Sequence, residues 1–209
     1  MQVLCNGGIP SVAAIIYIVT IGCGTLPINF TRIKYYNPSL LAVSVVTSLG
    51  CCAGDTWASE IGSAIGSRTP RLITTLQRVP VGTNGGISMI GTISSFAGGL
   101  AVGLSYYISI YCCCDRTDLK MWEKLPPQWP IILYGAFAGF LGSMIDSFLG
   151  ASVQYSGYSK ESKKILHHRT KDSLHISGYA ILNNHAVNFV SALITTIIIS
   201  YGAVNYWPA

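Results

Sequence analysis

The chain has 209 residues, half of them hydrophobic and only 10% charged, against roughly 25% charged in an ordinary soluble domain. That balance excludes water as the main solvent. The net charge of +5 lies in short clusters between apolar runs rather than in a basic stripe interleaved with aromatics, which excludes a nucleic-acid surface. Asp, Glu, Lys and Arg are absent from residues 1–31, 35–54, 79–114, 125–145 and 173–209. Each stretch is long enough to cross a bilayer, since a spanning helix needs about 20 mainly apolar residues. A soluble all-α bundle would show polar faces at helical spacing, and neither residues 12–20 nor 193–200 carry a charged face. The sequence therefore predicts an all-α, polytopic integral membrane helix bundle, a single transmembrane domain over residues 1–209.

In chain order, the predicted helices cover residues 9–30, 39–66, 85–114, 129–155 and 186–207, joined by short connections. The first begins almost at the amino terminus without the basic flank of a signal peptide, and so reads as a membrane helix. Glycines concentrate in the third and fourth: Gly91, Gly98, Gly99 and Gly103, then Gly135, Gly139 and Gly142. Small residues let helices approach closely in lipid. Trp129, Tyr155 and Trp207 fall at span edges, where amphipathic rings favour the interface. Seven cysteines include Cys51-Cys52 and Cys112-Cys113-Cys114, without metal-ligand spacing, and read as small apolar residues; acylation of the second group is the weaker reading.

Five alternating spans put the first and third connections on one face, with five basic residues, and the second and fourth on the other, with eight. The positive-inside rule favours the second face as cytosolic. The sequon Asn29-Phe30-Thr31 then falls on the opposite face, at the edge of a span.

Acidic residues within spans are costly and mark functional sites by default. Three occur: Asp55, Glu60 and Asp146, the first and last at similar depth near the predicted cytosolic face. Between them lie Arg68, Arg71 and Arg78 and the turn Gly82-Thr83-Asn84-Gly85-Gly86, which offers backbone N–H groups at the start of a helix to an anion. Divalent cations bridge carboxylates to phosphates. The expected site is thus Mg²⁺ on Asp55, Glu60 and Asp146, with a nucleotide or phospholipid phosphate on the basic segment and the turn. The alternative is structural: Asp55 and Glu60 pair with Arg68 or Arg71, and the glycine run is only a turn. Asp146, Gly150 and Gln154 share one helical stripe, and Asn184 and Asn188 share another; these amides bind ligand or join helices. The four histidines form no ligand pattern.

Residues 53–60 (AGDTWASE), 70–75 (PRLITT), 79–86 (VPVGTNGG), 127–132, 142–151 (GSMIDSFLGA) and the closing Asn184, Ala186, Val187 and Asn188 resemble the transmembrane protein 19 family. Plant and cyanobacterial relatives of that family look like phytyl-phosphate kinases, which make an isoprenyl diphosphate from the monophosphate with a nucleoside triphosphate. The resemblance thus implies a prenyl-phosphate substrate, CTP or another nucleoside triphosphate, and a membrane lipid environment, with the endoplasmic reticulum as the expected location. It also implies further hydrophobic segments upstream, and an acid and an asparagine where this chain has Asn183 and His185. In that reading Asp55, Glu60 and Asp146 are catalytic and metal-binding, and Arg71, Arg78, Gly82, Thr83, Asn84, Gly85, Gln154, Asn184 and Asn188 bind substrate. A transporter or lipid-binding protein without catalysis, in which the same charges line a path, is the alternative.

Overall fold

A computed structural model describes residues 2–65, 69–113, 125–170 and 173–208. Arg68, Cys114, Arg116, Lys120, Lys124 and Lys171 of the sequence reading lie outside them. Among the described residues five helices follow one another: α1 Gln2–Ile21, α2 Ile33–Ala64, α3 Met89–Cys113, α4 Pro130–Val153 and α5 Asn184–Tyr206. The last four are long and apolar enough to cross a membrane, and α1 carries the shorter apolar stretch Cys5–Ile21. The chain is a multi-pass membrane helix bundle, as its composition predicts.

Close approach of backbones organises the bundle. Lipid is as apolar as the side chains, so helices associate through van der Waals fit rather than a hydrophobic driving force. Gly54 of α2, Gly99 of α3 and Gly139 of α4 meet at one level: a Cβ on Gly54 would stand 2.6 Å from the Gly139 carbonyl oxygen, and one on Gly139 would stand 2.9 Å from Gly99 Cα. One helical turn further along, Gly103 lies over Ile131 and Ile132 in the same way. Helix α5 closes the group through Ser44 Oγ and Ser200 Oγ at 3.3 Å, and through Tyr134, whose hydroxyl donates to Gly202 O at 3.4 Å. Antiparallel neighbours leave α2 and α4 running the same way, so the connections 65–88 and 154–183 emerge at one end and the segment 22–32 at the other.

Several predicted boundaries move. The first helix ends at Ile21 rather than residue 30, because Gly22 and Gly24 take positive φ angles of 102° and 143°. The chain then runs back over the bundle end, held by Gln128: its Oε1 accepts from Ile28 N at 2.8 Å, and its Nε2 donates to Ile28 O at 2.9 Å. Asn29 is only 1% exposed, and its Oδ1 accepts from Thr31 N and Oγ1, so the sequon is enclosed. Helix α2 begins at Ile33, ahead of the predicted start at residue 39, and takes Pro38 into its length. The predicted third and fourth helices are trimmed at the site end, to Met89 and Val153, and α5 starts at Asn184, where Asn183 Oδ1 caps Ala186 N at 2.9 Å.

Two connections are more than turns. Residues 71–87 carry the antiparallel pair β1 Arg71–Leu72 and β2 Gly86–Ile87. The last connection folds into an antiparallel sheet, β3 Ser156–Ser159 flanked by β4 Lys164–Leu166 and β5 Ser173–Ser177. Tyr155, expected at a lipid interface, is instead 8% exposed and shares a hydrogen bond of 2.9 Å with Ser173 Oγ, tying this sheet to α4. Trp207 behaves as an edge ring, stacked on Tyr134 at 5.5 Å with its Nε1 donating to Pro127 O.

Candidate functional site

The glycine contact of α2 with α4 brings the two acids together. On α2, Asp55 follows Gly54 directly; on α4, Asp146 lies two turns beyond Gly139. Both line one cavity of about 260 Å³ at the end of the bundle that carries the two structured connections. Ser59 of α2, Ser88 and Thr92 around the start of α3, and Asn184 of α5 line it too. Among the described residues no basic side chain does so.

Asp146 is held from α5. Ser191 Oγ donates to its Oδ2 at 3.4 Å, and the Asn188 amide nitrogen, turned toward its acceptors, donates to the same oxygen at 3.2 Å and to Asn184 O at 2.8 Å. The spacing of Asn184, Asn188 and Ser191 on one helical face allows this. The Ser191 hydroxyl shares its one hydrogen with Asn188 O at 3.0 Å, so Asn188 is the main donor that orients the carboxylate, whose other oxygen is left for a ligand.

The roof is the predicted phosphate turn. Gly82, Thr83, Asn84 and Gly85 all line the cavity. Gly85 has φ 78°, and a Cβ there would stand 2.6 Å from Ser147 O and 2.7 Å from Ala151 N, so the loop docks on α4 by a contact that a side chain would prevent. Asn84 fixes the other side: its backbone N–H donates to Ser156 Oγ at 3.0 Å, and its Nδ2 donates to Tyr155 O at 3.1 Å and faces His167 Nδ1 at 3.3 Å. Thr83 Oγ1 donates to Pro80 O, which closes the turn rather than facing a ligand.

Gln154 sits at the C-cap of α4 and is 5% exposed, with its Nε2 lacking any hydrogen-bond partner. It lines the carboxylate cavity and also a second one of about 700 Å³, with Asn84 and Asn184 common to both. Asp146 and Gln154 of the predicted stripe therefore both line the carboxylate cavity, while Gly150 between them is covered by the turn at Gly85.

Three expected members stand elsewhere. Glu60 is exposed and absent from the cavity wall. At 100° per residue it lies about 140° around α2 from Asp55, whereas Ser59 lies about 40° away. Arg71 and Arg78 face each other across a β-bridge on the outer side of the hairpin, and Arg71 Nη1 donates to Leu76 O at 2.9 Å. Both are exposed, and Arg71 lines instead an apolar groove beside the cavity.

Among the described residues no group of three or more His, Cys, Asp or Glu side chains is placed to hold a metal ion. The donor set that remains is two carboxylates with hydroxyl and amide oxygens. This fits Mg²⁺, which is commonly held by one or two carboxylates and completes its shell with water and substrate phosphate. The sequence reading missed Ser191, Ser59, Ser88 and Thr92. Ser59 lies four residues from Asp55 and Ser191 three from Asn188, spacings that could have found those two.

The family model for the integral membrane protein DUF92 matches residues 1–196, a range that contains every motif quoted above. Protein PGR of Arabidopsis thaliana is 36% identical over 98% of the chain and 68% of its own length. An uncharacterized membrane protein of Methanocaldococcus jannaschii is 27% identical over 84% of the chain and 57% of its own length. Another, from Synechocystis, is 36% identical over 54% of the chain and 38% of its own length. The chain thus spans about two thirds or less of these relatives. No solved structure matches it. With a family model covering nearly its whole length and a relative at 36% identity, the chain belongs to the DUF92 family of integral membrane proteins.

Proposed function

We propose that this protein is a Mg²⁺-dependent lipid phosphotransferase that moves the γ-phosphoryl group of a nucleoside triphosphate onto an isoprenyl monophosphate. The observation that supports this most is the pairing of Asp55 and Asp146 in one cavity at the membrane edge, under a glycine-rich turn and beside an apolar groove.

In this reading an oxygen of the isoprenyl monophosphate attacks the γ-phosphorus. The bond from that phosphorus to the β–γ bridging oxygen breaks, leaving an isoprenyl diphosphate and a nucleoside diphosphate. The attacking oxygen is already anionic, so no general base is needed, which suits a cavity without a lining histidine. Phosphoryl transfer of this kind depends on positioning and on neutralising charge. Asp55 and Asp146 would hold Mg²⁺, which would supply the countercharge, while Asn188 and Ser191 keep Asp146 aimed. The Ser88 hydroxyl and the backbone N–H groups of Gly82 and Gly85 meet the phosphate oxygens. The N–H groups of Thr83, Asn84 and Gly86 and the hydroxyls of Ser59 and Thr92 already donate within the protein.

The groove of about 520 Å³ takes the start of the prenyl chain. Its wall includes Ile87, Met89, Ile90 and Ile93, and it shares Pro70, Ser88 and Thr92 with the cavity. Arg71 at its rim meets the phosphate as the lipid enters. By the positive-inside rule, the basic residues of the second and fourth connections in the sequence support a cytosolic position for the site, where nucleotide is available.

The test is transfer of labelled phosphate from CTP or ATP to prenyl monophosphates by detergent-purified protein with Mg²⁺. Diphosphate formed by the intact protein and lost in Asp55→Asn and Asp146→Asn is the expected result. A folded sample that yields no product with any nucleotide overturns the reading, and solute flux in proteoliposomes without nucleotide consumption would replace it with transport.

A further inference from the structure

We propose that the groove between α1 and α2, at the end of the bundle opposite the carboxylates, binds one anionic phospholipid, with Lys34 and Asn37 on its phosphate and the slot beneath them on an acyl chain. The groove takes no part in the phosphotransferase reading and stands or falls apart from it.

The shape comes from the turn that ends α1. Positive φ at Gly22 and Gly24 sends the chain back over the bundle end, so the last turns of α1 and the first turns of α2 stand side by side. Together with Leu26 of the connecting segment they enclose about 610 Å³. The segment is pinned where it passes, since Leu26 N–H donates to the Tyr17 hydroxyl at 3.1 Å and Ile28 is held by Gln128.

Polar and apolar groups of the groove are sorted by depth. Lys34, Asn37 and Leu41 lie on one stripe of α2 at spacings of three and four residues, with about 10 Å of helix between the first and the last. The ammonium and the amide therefore stand at the mouth, while Leu40, Leu41 and Ile16 line the deeper part. The mouth is at the membrane edge, the level at which α4 starts beside Trp129 and α5 ends at Trp207. A phospholipid has the same order, charged phosphate at the interface and hydrocarbon below it. A soluble anion would leave the slot unused, and a neutral lipid would leave the ammonium unmatched.

Charge fixes the sign of the headgroup. Lys34 lies in the first turn of α2, where the helix dipole disfavours a cation, and that turn holds no acid. Its Nζ lies 5.8 Å from the centre of the Tyr35 ring, near the limit of a cation–π contact. Arg32 precedes it at the N-cap. The described acids, Asp55, Glu60, Asp146 and Glu161, all stand nearer the other end, and Asp55, the first acid in the chain, is about 30 Å further along α2. Two cations with no carboxylate beside them among the described residues, at the mouth of an apolar slot, are matched by a lipid whose headgroup carries a phosphate and no cation.

The test is lipid retention by the full chain in detergent, read by native mass spectrometry during titration with phosphatidylglycerol, with phosphatidylcholine of the same acyl chains, and with glycerol phosphate, which has the phosphate but no chains. The native protein should hold one phosphatidylglycerol more tightly than phosphatidylcholine. Lys34→Gln should weaken phosphatidylglycerol about fivefold, the worth of one basic residue at a membrane surface, and Lys34→Arg should restore it. Ile16→Trp, which fills the slot from α1, should weaken both lipids. Both side chains are exposed, so neither change touches the core. Equal affinity for the two lipids, or unchanged binding in Lys34→Gln, overturns the proposal. Glycerol phosphate bound as tightly as the lipid assigns the groove to a soluble anion and overturns it too. A dimer that retains no lipid and dissociates in Ile16→Trp puts a second copy of the chain in the groove instead. Nucleotide and phosphate transfer enter none of these readouts, so failure of the phosphotransferase reading is seen separately.

Discussion

Asn188 of α5 reaches across to Asp146 of α4, its amide nitrogen 3.2 Å from Oδ2, and thereby fixes one of the two cavity carboxylates from a different helix. Asn188→Ala should keep the fold and lower phosphate transfer by about 10- to 100-fold, the usual effect of removing a group that orients a metal ligand. A higher Mg²⁺ requirement for half-maximal rate is the expected signature. An unchanged Mg²⁺ dependence would mean that Asn188 only joins helices.

Glu60 provides the matched control. Because it points away from the cavity, Glu60→Gln should leave transfer within about twofold of native, while Asp55→Asn, five residues earlier on the same helix, abolishes it. Equal losses in both variants would return Glu60 to the site.

The glycine contact that sets the depth of Asp55 predicts a packing defect. A side chain at Gly139 meets the backbone of α3, including Gly99 Cα at 2.9 Å, so Gly139→Leu must push two helices apart. Overpacking costs typically about 1–3 kcal/mol and here falls on backbone that cannot rotate away. Thermal melting in detergent should drop clearly, whereas Gly202→Ala, where nothing lies within 4 Å of the added carbon, should not.

Gln128 makes a separable prediction at the opposite end. It accepts from Ile28 N and donates to Ile28 O and Pro126 O, all buried. Gln128→Ala leaves these groups without partners at about 1–3 kcal/mol each, less whatever water recovers. Melting should fall, and activity per folded molecule should stay near native, because this contact is at the far end of the bundle from Asp55.

Nucleotide and Mg²⁺ should stabilise the protein together and not singly. Binding to the folded state adds stability that grows with ligand concentration, about 2.7 kcal/mol at one hundred times the dissociation constant. Chelation by EDTA should remove the nucleotide-dependent rise in melting temperature from the native protein. Asp146→Asn should show no rise in either condition.

The departure at Asn183 is instructive. The resemblance implies an acid where this chain has Asn183. Asn183 instead caps α5 through Ala186 N and lines only the outer chamber, not the carboxylate cavity. Asparagine and aspartate serve equally as caps, so the change keeps the start of the helix and touches no residue that faces the proposed Mg²⁺.

Membrane residence, the helix-bundle architecture and the presence of acids within the apolar helices were legible in the sequence. The reason is that lipid penalises charge residue by residue, so charge-free stretches and their exceptions can be read locally. The Asp146, Gly150 and Gln154 stripe and the Asn184 and Asn188 pair were legible too, because helical phase is a local property. Only the tertiary structure decided which acid faces inward, since α2 presents Asp55 and Glu60 to different sides and only its packing on α4 at Gly54 and Gly139 selects one. It also decided that Arg71 and Arg78 turn outward, that residues 154–183 form a sheet, and that Gln154 is buried with an unmet donor. These depend on where a connection docks, and here that is set by contacts between residues far apart in the chain, such as Gly85 on Ala151 and Asn84 on Tyr155, which no local pattern encodes.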